Sequence, residues 1–221
     1  DLYAPEYVNR LYRACLRNTT VPFDFVVYVG PAAQESRRVK KIDKAIRIVQ
    51  TGVREGWGAT RFWQPDPAGI ETPSLLYLDL DIVIIANIDA LIRFPSDFAA
   101  SREYPVTHLP VGQERYAMGD RNANLGVTLI RNNGGARVWE EYLKIGAPLC
   151  PHERLTQGFQ TFTNDPRYGI KVDLFPSGWV SSYKYQVLRK GIPKDCKIIH
   201  FHGEPKPSAF LHEAWVRENW I

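Results

Sequence analysis

Two aspartates interrupt one of the most apolar stretches of the chain. The run LLYLDLDIVII, residues 75–85, is apolar at nine of eleven places, and Asp79 and Asp81 occupy the other two. Side chains alternate between the two faces of a strand, so Asp79 and Asp81 are predicted to lie on the same face. Neighbouring carboxylates repel each other, and burying either one as an ion without a partner costs on the order of several kcal/mol.

Three arrangements would relieve this repulsion: a solvent-exposed strand end, a bridging basic side chain, or a divalent cation between the carboxylates. The apolar residues on both sides leave little room for water, which favours the cation. Oxygen ligands suit hard ions such as Mn²⁺ or Mg²⁺. Such an ion takes its remaining ligands from substrate phosphates, so the pattern indicates a phosphate-bearing substrate with the metal neutralising charge.

A polar cluster follows a second apolar segment near the end of the sequence, in IIHFHGEPKP, residues 198–207. His200 or His202 supplies an imidazole there. Gly203 lets the backbone approach a ligand closely. Lys206 stands between two prolines, which stiffen the loop that carries its positive charge. This combination is typical of a phosphate-binding loop.

Together, YLDLD and HFHGEPKP resemble the metal-dependent GT-A glycosyltransferases, especially glycosyltransferase family 8 and its bacterial and viral relatives. In that family an aspartate–any–aspartate motif ends a strand, and a histidine that begins an H-x-x-G-x-x-K-P motif completes the metal site. The resemblance implies that Asp79, Asp81 and His200 bind Mn²⁺ (or Mg²⁺). It also implies that Asp79, Gly203 and Lys206 contact the nucleotide diphosphate.

Further matches lie between these two motifs. NLGVTLI, residues 124–130, is similar to the family's N-x-G-V strand, and GWVSSYKY, residues 178–185, resembles a segment beside the active site. The residues implied as contacts of the donor sugar or the acceptor are Arg61, Asn124, Gln157, Trp179 and Lys184. The family also has an Asp-Gln pair on a helix. Gln157 or Gln160 matches the glutamine of that pair, but Thr156 stands where the aspartate is expected, so the catalytic residue stays unassigned.

The implied reaction moves a hexose from a nucleoside diphosphate sugar to a hydroxyl of a glycan or glycoconjugate acceptor, with retention. UDP-glucose and UDP-galactose are the expected donors. One alternative is a haloacid-dehalogenase-like phosphatase with Asp79 as nucleophile and Asp81 as acid/base. Asp120 would be its late acidic residue, and the HFHGEPKP cluster would have no role. The other alternative is a non-catalytic relative that binds a nucleotide sugar without turnover.

The composition sets limits on these readings. The 221 residues are 44% hydrophobic and 12% aromatic, which excludes a disordered chain. The net charge of +4 comes without a long basic run interleaved with aromatics, so nucleic acid is not an expected partner. No apolar stretch reaches the roughly 18 residues of a transmembrane helix. Three widely spaced cysteines, Cys15, Cys150 and Cys196, predict reduced thiols and a cytoplasmic location.

Strands that alternate with helices predict an α/β fold, and no linker divides the chain, so residues 1–221 are predicted to be one domain. The resemblance specifies a GT-A fold with a central, mostly parallel mixed sheet flanked by helices. The predicted strands cover 23–30, 44–49, 75–86, 98–104, 125–132, 172–176 and 196–201. The predicted helices cover 5–17, 88–94, 134–144, 154–165 and 213–219. The family begins with one further strand, which we expect to precede residue 1 or to be replaced by another segment.

Overall fold

A computed structural model describes residues 3–29, 39–50, 74–102, 123–145, 163–164 and 166–221. The strands are Val26–Val29 (β1), Arg47–Gln50 (β2), Ser74–Leu78 (β3), Ile82–Ile84 (β4), Phe98–Arg102 (β5), Ala123–Arg131 (β6), Asp173–Leu174 (β7), Val180–Ser182 (β8) and Ile198–His200 (β9). The α-helices are Pro5–Asn18 (α1), Asp89–Ile92 (α2), Ala136–Ile145 (α3), Leu188–Lys190 (α4) and Ala214–Asn219 (α5). Single turns of 3-10 helix cover Val39–Lys41, Pro166–Tyr168 and Pro207–Phe210, and a π-helical turn covers Tyr183–Val187.

The strands form three groups, of which the two larger ones are mixed sheets. β1 pairs with β2, a four-stranded sheet has the order β3-β6-β5-β7, and a three-stranded sheet has the order β4-β9-β8. Within the described ranges, three pairings are parallel and three are antiparallel. The α/β class with mixed sheets is therefore confirmed.

The first helix covers one side of the β4-β9-β8 sheet. Pro5 occupies its first turn, where the missing N–H is not needed for a helical hydrogen bond. Its buried face carries Val8, Leu11, Ala14 and Cys15, and it packs against β4. The apolar pattern of residues 5–17 also places Leu16 on the buried stripe, but Leu16 is 53% exposed, because Ala14 and Cys15 take the inward positions of that turn.

The apolar run at 75–86 is two strands and not one. β3 ends at Leu78 and pairs with β6, whereas β4 begins at Ile82 and pairs with β9, so Asp79 to Asp81 carry the chain from one sheet to another. The prediction of a continuous strand with both carboxylates on one face was wrong. Carboxylates are poorly tolerated inside a buried ladder, and the chain leaves the ladder where they occur.

Most other predicted elements are present with shifted ends. The described part of the chain confirms the predicted strands near residues 26, 47, 98, 125, 173 and 198 and the helices near 5, 89, 136 and 214. The Pro- and Gly-rich segment 63–69, whose composition predicts a loop, lies outside the described residues. The predicted helix at 154–165 also lies outside them, apart from residues 163 and 164. Cys15 and Cys196 are buried free thiols, and Cys150 also lies outside the described residues. Among the described helices, none has the length and hydropathy needed to cross a bilayer.

Candidate functional site

Three candidate ligands come together where the two larger sheets meet. Asp79 directly follows β3, Asp81 directly precedes β4, and His200 is the last residue of β9. Because β4 and β9 pair antiparallel with Ile82 opposite His200, Asp81 lies beside the imidazole. The backbone N–H of Phe201 donates to the carbonyl of Asp81 at 2.8 Å, which extends this pairing past the ends of both strands.

One atom of each side chain faces the other two. His200 Nε2 lies 3.2 Å from Asp81 Oδ1 and 3.5 Å from Asp79 Oδ2. One ligand atom from each residue can be chosen so that all three lie within 4.8 Å of one another. Asp81 and His200 are buried, whereas the side chain of Asp79 is 35% exposed, so the cluster is open to solvent on the Asp79 side.

The outer oxygen of each carboxylate is held by the protein. The Tyr77 hydroxyl donates to Asp79 Oδ1 at 2.6 Å. Lys206 Nζ donates to Asp81 Oδ2 at 2.6 Å, and the Tyr3 hydroxyl donates to the same oxygen at 2.9 Å. These contacts fix the rotation of both carboxylates and turn Oδ2 of Asp79 and Oδ1 of Asp81 towards His200. Lys206 is therefore a basic side chain that relieves the charge of Asp81, as one of the three arrangements considered from the sequence requires. Two carboxylate oxygens and the His200 nitrogen still face one another, as the cation arrangement requires.

The charges of the cluster act on each other. Burial raises the pKa of Asp81, but hydrogen bonds from His200 and Lys206 outweigh it and hold that pKa well below its usual range. Burial lowers the pKa of His200, but the hydrogen bond and charge of Asp81 outweigh it and raise that pKa. Partial burial raises the pKa of Asp79 more than the nearby imidazole lowers it. The carboxylates therefore stabilise a positive charge at His200 Nε2, the same place where a cation would sit.

This donor set fits a divalent cation. Two carboxylate oxygens and one imidazole nitrogen suit a hard to borderline ion such as Mn²⁺, with further positions left for substrate oxygens and water. The protein also supplies the partners that usually orient metal-binding side chains, namely the Tyr77 hydroxyl and the Lys206 ammonium.

Gly126 on β6 makes the cluster possible by its lack of a side chain. A Cβ atom there would lie 2.4 Å from His200 Cε1 and 2.8 Å from Asp79 Oδ2, closer than real Cβ contacts. The Gly126 carbonyl accepts from the backbone N–H of Asp79 at 2.8 Å. Asn124 Oδ1 accepts from the N–H of Gly126 at 3.0 Å, so this residue, predicted to contact the donor sugar or the acceptor, also supports the strand at the cluster.

The loop after β9 brings two lysines to the cluster. Gly203 has φ +68°, in the left-handed region that favours glycine. A Cβ at Gly203 would lie 3.2 Å from Lys184 Nζ, so the Lys184 ammonium rests against this turn. Lys206 follows three residues later and bonds to Asp81.

The other residues predicted for the site lie away from the cluster or outside the described ranges. Trp179 is partly buried against the core cluster that includes Ile82, Leu129 and Ile198, and its ring centroid lies 6.2 Å from that of Phe94. It precedes β8 at the end opposite His200, because Val180 pairs with Ile198 and Ser182 with His200. Three predicted residues lie outside the described ranges: Arg61, Gln157 and Gln160.

His202, the other imidazole considered from the sequence, has a different environment. Its Nε2 lies 2.6 Å from Ser182 Oγ, which also accepts from the backbone N–H of Tyr185 at 3.1 Å. Burial lowers the pKa of His202 to about 3, with contributions from the charges of His200 and Lys184. A neutral imidazole bonded to a buried serine supports the position of the loop, and His200 is the ligand candidate.

Sequence reasoning missed three members of the site: Tyr3, Tyr77 and Gly126. Tyr77 carried a usable signal, since it stands two residues before Asp79 at the end of the same strand. Gly126 is the glycine of the N-x-G-V segment, whose closeness to the aspartates depends on the β3–β6 pairing. Tyr3 carried no signal, because 203 positions separate it from Lys206, to which it is bonded.

Comparison with solved structures places this arrangement in a known fold. The galactosyltransferase LgtC, solved with donor and acceptor sugar analogues, matches 98% of this chain and 93% of its own, with a TM-score of 0.62 at 13% identity. GlyE of Streptococcus pneumoniae TIGR4 matches 98% of this chain with a TM-score of 0.60 at 13% identity. Mouse xyloside xylosyltransferase 1 matches 90% of this chain and 93% of its own, with a TM-score of 0.50 at 15% identity.

The chain has the GT-A glycosyltransferase fold. It spans 57% of the length of GlyE, which is therefore the longer protein. Neither the protein-family models nor the curated protein sequences gave a match. At 13% to 16% identity these likenesses concern the fold, and the resemblance to GT-A proteins noted from the sequence is confirmed at that level.

Proposed function

We propose that this chain is a metal-dependent glycosyltransferase that moves a hexose from a nucleoside diphosphate sugar to an acceptor hydroxyl. The observation that carries the proposal is the meeting of Asp79, Asp81 and His200 at a sheet junction of a GT-A fold. UDP-glucose and UDP-galactose are the proposed donors, and a glycan or glycoconjugate is the proposed acceptor. LgtC, a structural neighbour, is a galactosyltransferase, which supports a hexose donor.

The chemistry requires charge stabilisation as the anomeric C–O bond breaks and negative charge builds on the departing diphosphate. When bound, a divalent cation such as Mn²⁺ supplies positive charge next to that group. Asp79, Asp81 and His200 would hold the cation through their inward-facing atoms. The Lys206 ammonium has three donors, of which Asp81 and Tyr3 engage two among the described residues, so one is available to a phosphate oxygen.

Retention of configuration is part of the proposal and follows the resemblance to family 8. The sugar carbon gains oxocarbenium character, as in glycoside hydrolysis. The anomeric form of the free hexose released by hydrolysis of the donor, read by NMR before mutarotation, tests retention separately from transfer to an acceptor.

The phosphatase alternative is less well supported. It would use Asp79 as nucleophile, but Asp79 Oδ1 is bonded to Tyr77 and Oδ2 faces an imidazole for which that mechanism has no role. Asp120, its candidate late acidic residue, lies outside the described ranges. The fold is that of glycosyltransferases.

The test measures Mn²⁺-dependent hydrolysis and transfer from UDP-glucose and UDP-galactose by the wild-type chain, Asp81→Asn and the control Asp173→Asn. Asp81→Asn replaces one carboxylate oxygen with an NH₂ group, removes the negative charge offered to a cation and breaks the Lys206 ion pair, so turnover should fall by at least about 100-fold. Asp173 is exposed on β7, away from the cluster, so its substitution should leave turnover unchanged.

Three outcomes would overturn the proposal or part of it. Release of phosphate from a phosphomonoester without sugar transfer would favour the phosphatase. Tight binding of a UDP-sugar with no product would favour a non-catalytic relative. Unchanged Mn²⁺-dependent UDP binding in His200→Ala, at matched metal concentration, would remove His200 from the site.

A further inference from the structure

Lys184 occupies an unusual position beside the proposed diphosphate site. It lies in the π-helical turn Tyr183–Val187, directly after Ser182, and Ser182 pairs with His200. Its ammonium rests against the Gly203 turn, 3.2 Å from the place where a Cβ would lie. The pairing of β8 with β9 therefore delivers Lys184 to the same loop that carries Lys206.

The two lysines differ in their partners. Lys206 Nζ bonds to Asp81 at 2.6 Å and to the Tyr3 hydroxyl at 2.8 Å. Lys184 is partly buried and, within the part of the chain that the structure describes, its ammonium makes no hydrogen bond or ion pair. Burial and the charge of Lys206 lower the pKa of Lys184, with Glu204 and Asp81 acting in the opposite sense. Two ammonium groups that repel each other, one of them without a bonded partner, form a site that an anion would stabilise.

The charge balance of the site indicates which anion fits. Asp79 and Asp81 together cancel Lys184 and Lys206, with His200 neutral when it binds a metal. A bound divalent cation then leaves two positive charges. The diphosphate of a nucleotide sugar carries two negative charges, one on each phosphate. Glu204 is exposed, and solvent screens its contribution.

We propose that Lys184 is a second ammonium contact of the donor's diphosphate and that Lys184 and Lys206 hold that group from the two sides of the Gly203 turn. This inference rests on the proposed function, since it names a further residue of the same site. Lys184 would bind phosphate oxygens and would not contact the sugar. It would also gain interaction energy as charge builds on the departing diphosphate.

The absence of a side chain at residue 203 serves this arrangement. A methyl group at Gly203 would crowd Lys184 Nζ at 3.2 Å and would strain a backbone held at φ +68°. The glycine of the family-like motif thus leaves the space that the second lysine occupies.

The experiment compares the wild-type chain with Lys184→Met, Lys184→Arg and the control Lys190→Met, a nearby exposed lysine on α4. Isothermal titration calorimetry with Mn²⁺ measures the Kd of UDP and of inorganic pyrophosphate. In Lys184→Met both Kd values should rise by about 10-fold to 100-fold, the usual effect of losing a hydrogen bond to a charged group. Lys184→Arg should recover part of the affinity, and Lys190→Met should match the wild type.

The two ligands separate the possible outcomes. A loss of UDP affinity without a loss of pyrophosphate affinity would place Lys184 at the nucleoside and would overturn the inference. Equal affinities in Lys184→Met and the wild type, or a wild-type chain that binds UDP but not pyrophosphate, would also overturn it. A wild-type chain that binds pyrophosphate but not UDP would contradict the proposed function, while the pyrophosphate series would still decide the role of Lys184.

Discussion

The Tyr3 hydroxyl bridges Lys206 and Asp81. It donates to Asp81 Oδ2 at 2.9 Å and accepts from Lys206 Nζ at 2.8 Å, while Lys206 reaches the same carboxylate oxygen at 2.6 Å. The Lys206 ammonium also lies 4.9 Å from the centre of the Tyr3 ring. Tyr3, two residues before α1, thus fixes both a candidate metal ligand and a candidate phosphate contact.

Tyr3→Phe tests this bridge. The substitution keeps the ring beside Lys206 but removes the bond to Asp81, so we expect the Kd of UDP with Mn²⁺ to rise by about 3-fold to 10-fold. The Tyr7 hydroxyl, which bonds to Ser208 Oγ at 2.9 Å in an exposed position, gives the matched control Tyr7→Phe. Equal Kd values for Tyr3→Phe and Tyr7→Phe in calorimetry would exclude a role for the bridge in binding.

Gly126→Ala tests the close approach of β6 to the candidate metal ligands. The new Cβ would lie 2.4 Å from His200 Cε1 and 2.8 Å from Asp79 Oδ2, so the imidazole or the carboxylate must move. We expect Mn²⁺ affinity to fall by at least about 10-fold, since orientation of ligands controls metal affinity on this scale. Titration of the metal-free protein with Mn²⁺, followed by water proton relaxation, measures this effect.

Gly134→Ala provides the comparison for that experiment. A Cβ there would lie 2.1 Å from the carbonyl oxygen of Asp97, a backbone atom remote from the cluster. This variant should lose thermal stability, while the fraction that remains folded should bind Mn²⁺ normally. If Gly126→Ala lost stability and metal affinity only to the extent that Gly134→Ala does, the specific role of Gly126 would be refuted.

The sequence predicted the parts of the fold that local pattern controls. The stripe of apolar residues in 5–17 predicts α1, and the apolar segment before His200 predicts β9, because each follows the period of its element. The sequence also indicated the candidate ligands by type, since carboxylates in an apolar run need a partner wherever the chain folds.

Other features depend on pairings that no local pattern records. The break between β3 and β4 follows from their pairing with different strands, β6 and β9, and the sequence 75–86 reads as continuous. The hydrogen bond between Tyr3 and Lys206 joins residues that are 203 positions apart in the sequence. The approach of Lys184 to Gly203 depends on the parallel register of β8 and β9, which sequence spacing alone does not reveal.

Asp89→Asn tests a structural carboxylate that joins α1 to α2. The hydroxyls of Thr19 and Thr20 donate to it, the former at 2.6 Å, and these bonds hold the pKa of Asp89 well below its usual range. A lowered native pKa means that the stabilisation is fully present above the unfolded pKa of about 4 and is lost as pH falls through the native pKa. Asp89→Asn should therefore be less stable than wild type at neutral pH, and the difference should shrink below about pH 4.

Urea unfolding across this pH range measures the difference in the free energy of unfolding, with Asp173→Asn as the exposed control. A difference that stayed constant in acid would assign the loss to packing.

The pH dependence of metal binding tests the competition between a proton and a cation at His200. The hydrogen bond and charge of Asp81 raise the pKa of His200 in the metal-free protein, and the metal binds only the neutral imidazole. Below that raised pKa, each ion bound must release one proton, so the Kd of Mn²⁺ should fall about tenfold for each unit of rising pH. The metal-free protein should respond in the opposite sense. A raised native pKa gives stability that is complete below the unfolded value of about 6.5 and is lost as pH rises through the native value.

Calorimetry in buffers of different ionisation enthalpy counts the protons released when Mn²⁺ binds. Two histidine variants then show which imidazole releases them. His200→Gln keeps a polar side chain but does not titrate, so its weaker Mn²⁺ binding should show a much smaller slope with pH. His212→Gln, which alters an exposed imidazole away from the cluster, should keep the wild-type slope. If wild-type Mn²⁺ affinity did not change between about pH 6 and pH 8, or if His212→Gln removed the slope, the titrating ligand would not be His200. The two carboxylates would then bind the ion without the imidazole that the β4–β9 pairing places beside them.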